Sequence, residues 1–101
     1  MKQCCLEFLM EQFGDREVVD EIYGEFVRSM DEKLDEADAA LAATDWLKLD
    51  RVAHAVKGNA LAAGDTAMAD VAIELRGVAK LSEAEKAGEL IAKMKELKKE
   101  L

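Results

Sequence analysis

The spacing of apolar residues constrains this chain more than any other feature of its sequence. Apolar side chains recur three or four positions apart over five segments, and no proline interrupts them. Alanine, leucine, glutamate and lysine, which are strong helix formers, are the commonest residues. No run alternates apolar and polar residues between turn signals, as a strand would. The sequence therefore predicts an all-α fold.

Stop and cap residues between the apolar stripes predict where the helices begin and end. The first helix runs from about residue 2 to 13, the second from 16 to 43, the third from 46 to 63 and the fourth from 66 to 80. Gly14 and Gly64 are typical of residues just past a helix end, and Asp15 and Asp45 are typical N-caps. Either Asp65 or Thr66 is expected to cap the fourth helix. Ser82 followed by Glu85 predicts a capping box at the last helix. Residues 98–101 are expected to fray.

Short connections between these helices predict that neighbours run antiparallel. Four amphipathic helices then form an up-down-up-down four-helix bundle, with the short first helix across one end, in a single domain of residues 1–101. The predicted core comprises Leu6, Leu9, Met10, Phe13, Val18, Val19, Ile22, Tyr23, Phe26, Val27, Met30, Leu34, Ala37, Leu41, Leu49, Val52, Val56, Ala60, Ala63, Met68, Val71, Ala72, Leu75, Val78, Ala87, Leu90, Ile91, Met94 and Leu97.

The charge of the chain argues against several classes of partner. The formal net charge is −8, and binding to nucleic acid or to an anionic membrane needs clustered lysine and arginine. The apolar start at residues 4–10 is broken by Glu7 and is too short for a signal peptide or a membrane span. We therefore expect a cytoplasmic protein, and its charged outer faces favour a monomer.

Cys4 and Cys5 are adjacent, so they are poorly placed to form a disulfide with each other, and the chain has no other cysteine. A metal site would need further ligands, yet His54 is the only histidine. We expect two reduced thiols and no metal site, with their role left open.

The third helix carries the most informative chemistry. At about 100° per residue, Val52, Val56 and Ala60 share one face, and His54 falls on the opposite face, where it should be exposed. The residues expected on the side of His54 are Leu47, Asp50, Arg51, Lys57, Gly58, Leu61 and Asp65.

Three features on this face suggest a functional histidine. Leu47 and Leu61 bracket His54 at one heptad on either side, which suggests a docking patch. Arg51 and Lys57 lie one turn from it on each side and could attract a phosphoryl group or an acidic partner. Gly58, a poor helix former, removes bulk beside the imidazole. The simpler interpretation is an ordinary exposed histidine with solvated charges and single exposed leucines.

The segment Ala53-His54-Ala55-Val56-Lys57-Gly58-Asn59-Ala60 resembles the signature of histidine-containing phosphotransfer (HPt) domains. In that family the histidine is followed by any residue, an aliphatic residue, lysine, glycine and small residues. Gly64 matches a family glycine ten positions after the histidine, and the apolar positions of the next helix match as well. The resemblance extends over essentially the whole chain.

The resemblance implies a phosphorelay intermediate. HPt proteins accept a phosphoryl group from an aspartate of one receiver domain and pass it to an aspartate of another. By position His54 would carry the phosphoryl group, Lys57 would orient and neutralise it, and Gly58 would clear space for the partner. Docking would use Leu47, Arg51, Lys57 and Leu61, with Phe8 and Cys5 as weaker candidates. The partners would be response-regulator receivers, and a hybrid sensor kinase is a further candidate.

The same resemblance implies no cofactor on this chain, with Mg²⁺ on the receiver. The sequence has no GxxxxGK[ST] loop or kinase-type glycine-rich segment, so ATP use and autophosphorylation are not expected. Three residues depart from the family pattern: Asn59, Asp65 and Arg76. Asn59 points toward the core edge and is expected to bond another helix. None of the three is expected to touch His54, Lys57 or Gly58.

Alternatives remain at this point. The chain could be a helical module that binds a receiver or kinase without carrying phosphate, or a purely structural bundle. It could also be the phosphoryl-accepting domain detached from a chemotaxis-type kinase, although the Met1 start and the lack of linker composition favour a free-standing protein.

Overall fold

The computed structural model describes residues 1–101 and contains five helices and no strand. They are α1 (Gln3–Phe13), α2 (Arg16–Ala42), α3 (Trp46–Ala63), α4 (Thr66–Lys80) and α5 (Ala84–Lys98). The prediction of an all-α fold is confirmed, and each predicted boundary lies within a residue or two of the observed one. None of the five helices combines the length and the apolar character that crossing a membrane requires.

Aspartates begin three of the helices. Asp15, Asp45 and Asp65 each precede a helix and accept a hydrogen bond from a backbone N–H in its first turn. An acceptor at this position satisfies an N–H that has no partner within the helix, and its charge suits the positive end of the helix dipole. The caps predicted from the sequence at Asp15 and Asp45 are confirmed, and of the two candidates for α4 the cap is Asp65.

Left-handed residues end four of the helices: Gly14 ends α1, and the other three share one hydrogen-bond pattern. Thr44, Gly64 and Ser82 have φ angles of 49°, 78° and 55°. In each case the next residue donates its N–H to a carbonyl five residues back, as Asp65 does to Ala60 at 2.9 Å. This closes the last turn in a Schellman arrangement.

The predicted capping box at Ser82 and Glu85 is wrong. The residue before α5 is Glu83, and no side-chain cap is present there. Ser82 is already used as the left-handed residue that ends α4, so it cannot also begin α5.

Helices α2 to α5 enclose the core. α3 packs against α2 and α4, and α5 packs against α4 and α2. The molecule measures 42 × 20 × 19 Å, and its long axis is about the length of the 27-residue α2 at roughly 1.5 Å per residue. The buried apolar residues form one continuous cluster.

Most of the predicted core residues are buried or pack against the core, but Phe13 and Val18 are exposed. Both lie next to the break at Gly14, where α1 has ended and α2 has just begun. On α2 the buried stripe follows Val19, Tyr23 and Phe26, which rotates Val18 toward solvent.

The two chain termini meet in a group of residues that we call the terminal cluster: Lys2, Cys5, Tyr23, Asp65 and Leu101. The Lys2 ammonium contacts Asp65 Oδ1 at 3.0 Å. The backbone N–H of Lys2 donates to the Tyr23 hydroxyl at 3.2 Å, and that hydroxyl donates to the Leu101 carbonyl, also at 3.2 Å. The expectation that residues 98–101 fray is therefore wrong, because Tyr23 holds the last residue.

Asp65 lies inside this cluster and is fully buried, so its predicted place beside His54 is wrong. The helical rule of about 100° per residue stops applying at Gly64, where the chain turns. Asp65 Oδ1 accepts from Lys2 and from the Met68 N–H, while Oδ2 is buried without a hydrogen-bond partner.

Candidate functional site

His54 lies in the middle of α3 on the face opposite the core. Val52, Ala53 and Val56 are buried, whereas His54 is exposed, as the helical spacing predicts. The stop at Gly64 and the cap at Asp45 fix the ends of α3, and the apolar stripe fixes its rotation. The position of the histidine thus follows from the burial of its neighbours.

One side chain of α4 reaches the imidazole. Arg76 Nη1 lies 3.0 Å from His54 Nδ1, and Arg76 Nε donates to Asp50 Oδ1 at 3.0 Å. Asp50 and His54 are one turn apart on α3, so a single guanidinium bridges both. The expectation that Arg76 does not touch His54 is wrong, because the packing of α4 against α3 brings it across.

This contact assigns the two ring nitrogens of His54 different roles. A guanidinium can only donate, so Nδ1 must accept and the hydrogen of a neutral ring is assigned to Nε2. Nδ1 is occupied by Arg76 on the side of α4. Nε2 makes no hydrogen bond within the protein and is the nitrogen left for a partner.

The other predicted site residues also lie on α3. Arg51 is exposed and Lys57 is half-buried, and neither forms an ion pair or a side-chain hydrogen bond. A Cβ added at Gly58 would meet nothing within 4 Å, so the surface beside His54 is open there. Both cations are free to meet an anion brought by a partner.

Exposed apolar side chains surround this polar centre. Leu47 and Leu61 are exposed on α3, as expected, and Ile73 of α4 is exposed to a similar extent. Ile73 precedes Arg76 by three residues and therefore lies on the same face of α4. We call Leu47, Arg51, Lys57, Leu61 and Ile73 the docking surface.

Sequence reasoning missed Ile73 and the pair formed by Arg76 and Asp50. Ile73 lies off the buried stripe of α4, which follows Met68, Val71 and Leu75, and that mismatch is the signal that could have found it. The pair carried no such signal, because its partners are on different helices.

Three further expectations can be compared with the structure. Asn59 does bond another helix, since its Nδ2 donates to Ser29 Oγ of α2 at 2.7 Å. Cys5 is buried, and Phe8 packs against the core and Gly64, so the α1 residues are poor docking candidates. Cys5 and Phe8 thus contribute to the packing of α1 on the bundle rather than to an exposed surface.

Comparison with known families adds one finding. A family model described as "Hpt domain" matches residues 21–101, which include most of α2 and all of α3, α4 and α5. No curated protein and no solved structure matches the chain. The matched range contains every residue of the docking surface as well as His54, Gly58 and Arg76.

Proposed function

Because the chain belongs to the Hpt domain family, whose members transfer phosphoryl groups through histidine in two-component signalling, we propose that it is a phosphorelay intermediate. In this proposal His54 accepts a phosphoryl group from the aspartate of one receiver domain and passes it to the aspartate of another. The observation that carries the proposal is the exposed side chain of the only histidine, whose Nε2 makes no hydrogen bond within the protein, next to two unpaired cations and an open surface.

Transfer to His54 would be a single displacement. The Nε2 lone pair attacks the phosphorus of the receiver's aspartyl phosphate, an N–P bond forms, and the P–O bond breaks with its electron pair returning to the carboxylate. The ring hydrogen must be on Nδ1 at that moment, because Nε2 needs its lone pair. Reversal of these steps on a second receiver returns the protein to its starting state.

The residues around His54 have proposed roles in this step. Lys57 neutralises the phosphoryl oxygens, which is the main help that a protein gives to phosphoryl transfer. Gly58 lets the receiver approach, since no side chain fills the space there. Mg²⁺ is proposed to belong to the receiver rather than to this chain, and no ATP or autokinase step is involved.

The docking surface would hold the receiver. It combines apolar contact area in Leu47, Leu61 and Ile73 with the charges of Arg51 and Lys57, the kind of mixture found in protein interfaces. We further propose that α2 to α5 form an antiparallel up-down-up-down bundle with α1 capping one end. Residues 1–101 would act as one monomeric cytoplasmic domain, and a receiver within a hybrid sensor kinase is a candidate partner.

The direct test is phosphoryl transfer from a panel of pre-phosphorylated receiver domains to the wild-type chain and to His54→Gln. We expect acid-labile, base-stable phosphate on the wild type and none on the variant. Receiver binding without transfer to the wild type would favour an interaction module instead.

Docking can be tested separately from chemistry. Leu61→Asp should weaken receiver binding by about tenfold or more, because a charge replaces an apolar contact, and the far-UV helix signal should not change. Phe13→Asp is the matched control, since Phe13 is 51% exposed and Leu61 49%. Equal affinities for both variants would remove Leu61 from the docking surface.

A further inference from the structure

The contact between Arg76 and His54 constrains the histidine in a way that the transfer reaction alone does not require. Arg76 is anchored by Asp50 at 3.0 Å, and its second nitrogen is 3.0 Å from Nδ1. Arginine stays protonated and offers only donors, so this contact exists only while Nδ1 has a free lone pair. Two states of His54 meet that condition: the resting ring with its hydrogen on Nε2, and the ring phosphorylated on Nε2 with Nδ1 unprotonated.

We propose that Arg76 is a positioning residue that stabilises these two states between transfers. We call its hydrogen bond to His54 Nδ1 the latch. The proposal rests on His54 being the phosphorylated residue. In this proposal Arg76 keeps the phosphoryl group on the histidine until a receiver binds.

The proton balance shows why the latch must open during transfer. Attack by Nε2 requires the hydrogen on Nδ1, so Arg76 must release Nδ1, the Nε2 hydrogen leaves to water and Nδ1 takes one from water. After the N–P bond has formed and the P–O bond has broken, the ring is positively charged and carries the Nδ1 hydrogen. That proton leaves to water, and Arg76 donates to Nδ1 again.

The same balance predicts slow loss of the phosphoryl group. Breaking the N–P bond returns its electron pair to Nε2, which is easier when Nδ1 is protonated, because the leaving ring is then neutral. Arg76 opposes that protonation in two ways, since it occupies the Nδ1 lone pair and brings a positive charge close to it. Hydrolysis by water and premature transfer should both be slowed.

The first test reads the tautomer of the unphosphorylated protein. Because His54 is the only histidine, ¹⁵N-histidine labelling gives the signals of one ring. We expect the hydrogen on Nε2 in the wild type and a bias about three- to tenfold weaker in Arg76→Gln, the size of one hydrogen bond to a charged group at a partly exposed site. An unchanged tautomer in Arg76→Gln would overturn the proposal, whether or not His54 is ever phosphorylated.

The second test measures how long the phosphoryl group remains. The chain is phosphorylated by a receiver or by the small donor phosphoramidate, purified, and followed as phosphate is lost. Arg76→Gln should lose it about three- to tenfold faster, while Arg76→Lys, which keeps a charged donor, should restore most of the lifetime. Lys80→Gln is the control, because it removes one positive charge one turn further along the same helix.

The outcomes separate this inference from the proposed function. Equal lifetimes for the wild type and Arg76→Gln would overturn the latch and leave the phosphorelay role intact. A wild type that takes phosphate from no donor would contradict the phosphorelay role. The tautomer measurement would then show by itself whether Arg76 donates a hydrogen bond to His54 Nδ1.

Discussion

The terminal cluster and the His54 site each contain one acid–cation pair that joins two parts of the chain, and the two pairs differ in burial. Lys2 and Asp65 are 3.0 Å apart with side chains 18% and 0% exposed. Arg76 and Asp50 are also 3.0 Å apart, but their side chains are 29% and 22% exposed. The two ion pairs thus have the same length, although the pair at Asp65 is more deeply buried.

The difference follows from what covers each pair. α1 lies over the terminal cluster, where Phe8 packs against Gly64 and Cys5 is fully buried. No helix lies over His54. Because an ion pair taken out of water must be matched closely or it destabilises the fold, the pair at the buried Asp65 constrains structure. The half-buried pair of Arg76 and Asp50 is still reached by water and can exchange partners during a reaction.

The largest effect is expected where α1 meets α3. Gly64→Ala should lower the free energy of unfolding by about 2–5 kcal/mol, because Gly64 has a φ of 78° and the new Cβ would lie 2.5 Å from Phe8 Cβ. Thermal or urea unfolding measures this.

Gly14→Ala is the matched control, since Gly14 has a φ of 68° with open space around it. It should show only the backbone cost of about 1–2 kcal/mol. Equal losses for the two variants would mean that the contact with Phe8 does not hold α1 in place.

The second-largest effect is expected from alkaline pH, which should destabilise the terminal cluster. Burial raises the pKa of the Cys5 thiol from 9.0 to about 12, with smaller contributions from Cys4 and Asp65. Burial also raises the pKa of the Tyr23 hydroxyl above 10.0. Burial alone would lower the pKa of Lys2, but the hydrogen bond and charge of Asp65 outweigh it, and the pKa lies above 10.5.

For all three groups the raised pKa means that the free energy of unfolding falls as the pH rises. Between about pH 9 and 12 the folded state retains protons that the unfolded state has lost, so stability is complete below pH 9 and falls as the pH rises through this window. Urea unfolding at several pH values should show this fall. Cys5→Ala should reduce its slope most, and Cys4→Ala, which leaves the buried Cys5 thiol in place and removes only a smaller contribution to its pKa, should reduce it less. A slope unaffected by Cys5→Ala would mean that the buried Cys5 thiol does not cause the loss of stability at alkaline pH.

A smaller change is expected at Gly58, beside His54. Substitution there should raise the free energy of unfolding and lower the rate of phosphoryl transfer. Gly58→Ala should stabilise the protein by about 0.5–1 kcal/mol, because alanine favours the helix and its Cβ meets nothing. Transfer from a receiver should slow, because the methyl group occupies the approach to His54. Unchanged transfer rates would show that the open surface is not used by the partner.

The smallest effect is expected at Ser82, which belongs to neither ion pair. Ser82→Gly should raise the free energy of unfolding by at most about 1 kcal/mol, since Ser82 has a φ of 55° and glycine adopts that conformation without strain. Ser82→Ala, which keeps the Cβ, serves as the control. A gain in both variants would mean that the backbone angle is not the cause.

The exposed face of α3 could be predicted from the sequence because it depends on one helix alone. The positions of Val52, Val56 and Ala60 fix the rotation of α3, and His54, Leu47 and Leu61 then have to be exposed. The helix limits were equally local, since Asp15, Asp45, Gly14 and Gly64 act within one turn of their own positions.

The contacts that were missed all join parts distant in the chain. Arg76 reaches His54 only through the register of α4 against α3, which no single-helix pattern contains. Asp65 is buried because α1 folds back over it, and Leu101 is held by Tyr23 from the other end of the chain. Ser82 was misassigned for a local reason, because one residue cannot both end α4 and cap α5.

The most direct test of the central claim is to locate the phosphoryl group on the intact chain. Protein carrying ¹⁵N-labelled histidine is incubated with a phosphorylated receiver and examined by ¹⁵N and ³¹P NMR. We predict a phosphorus coupled to Nε2 of His54. Phosphate on any other residue, or on Nδ1, would contradict the account.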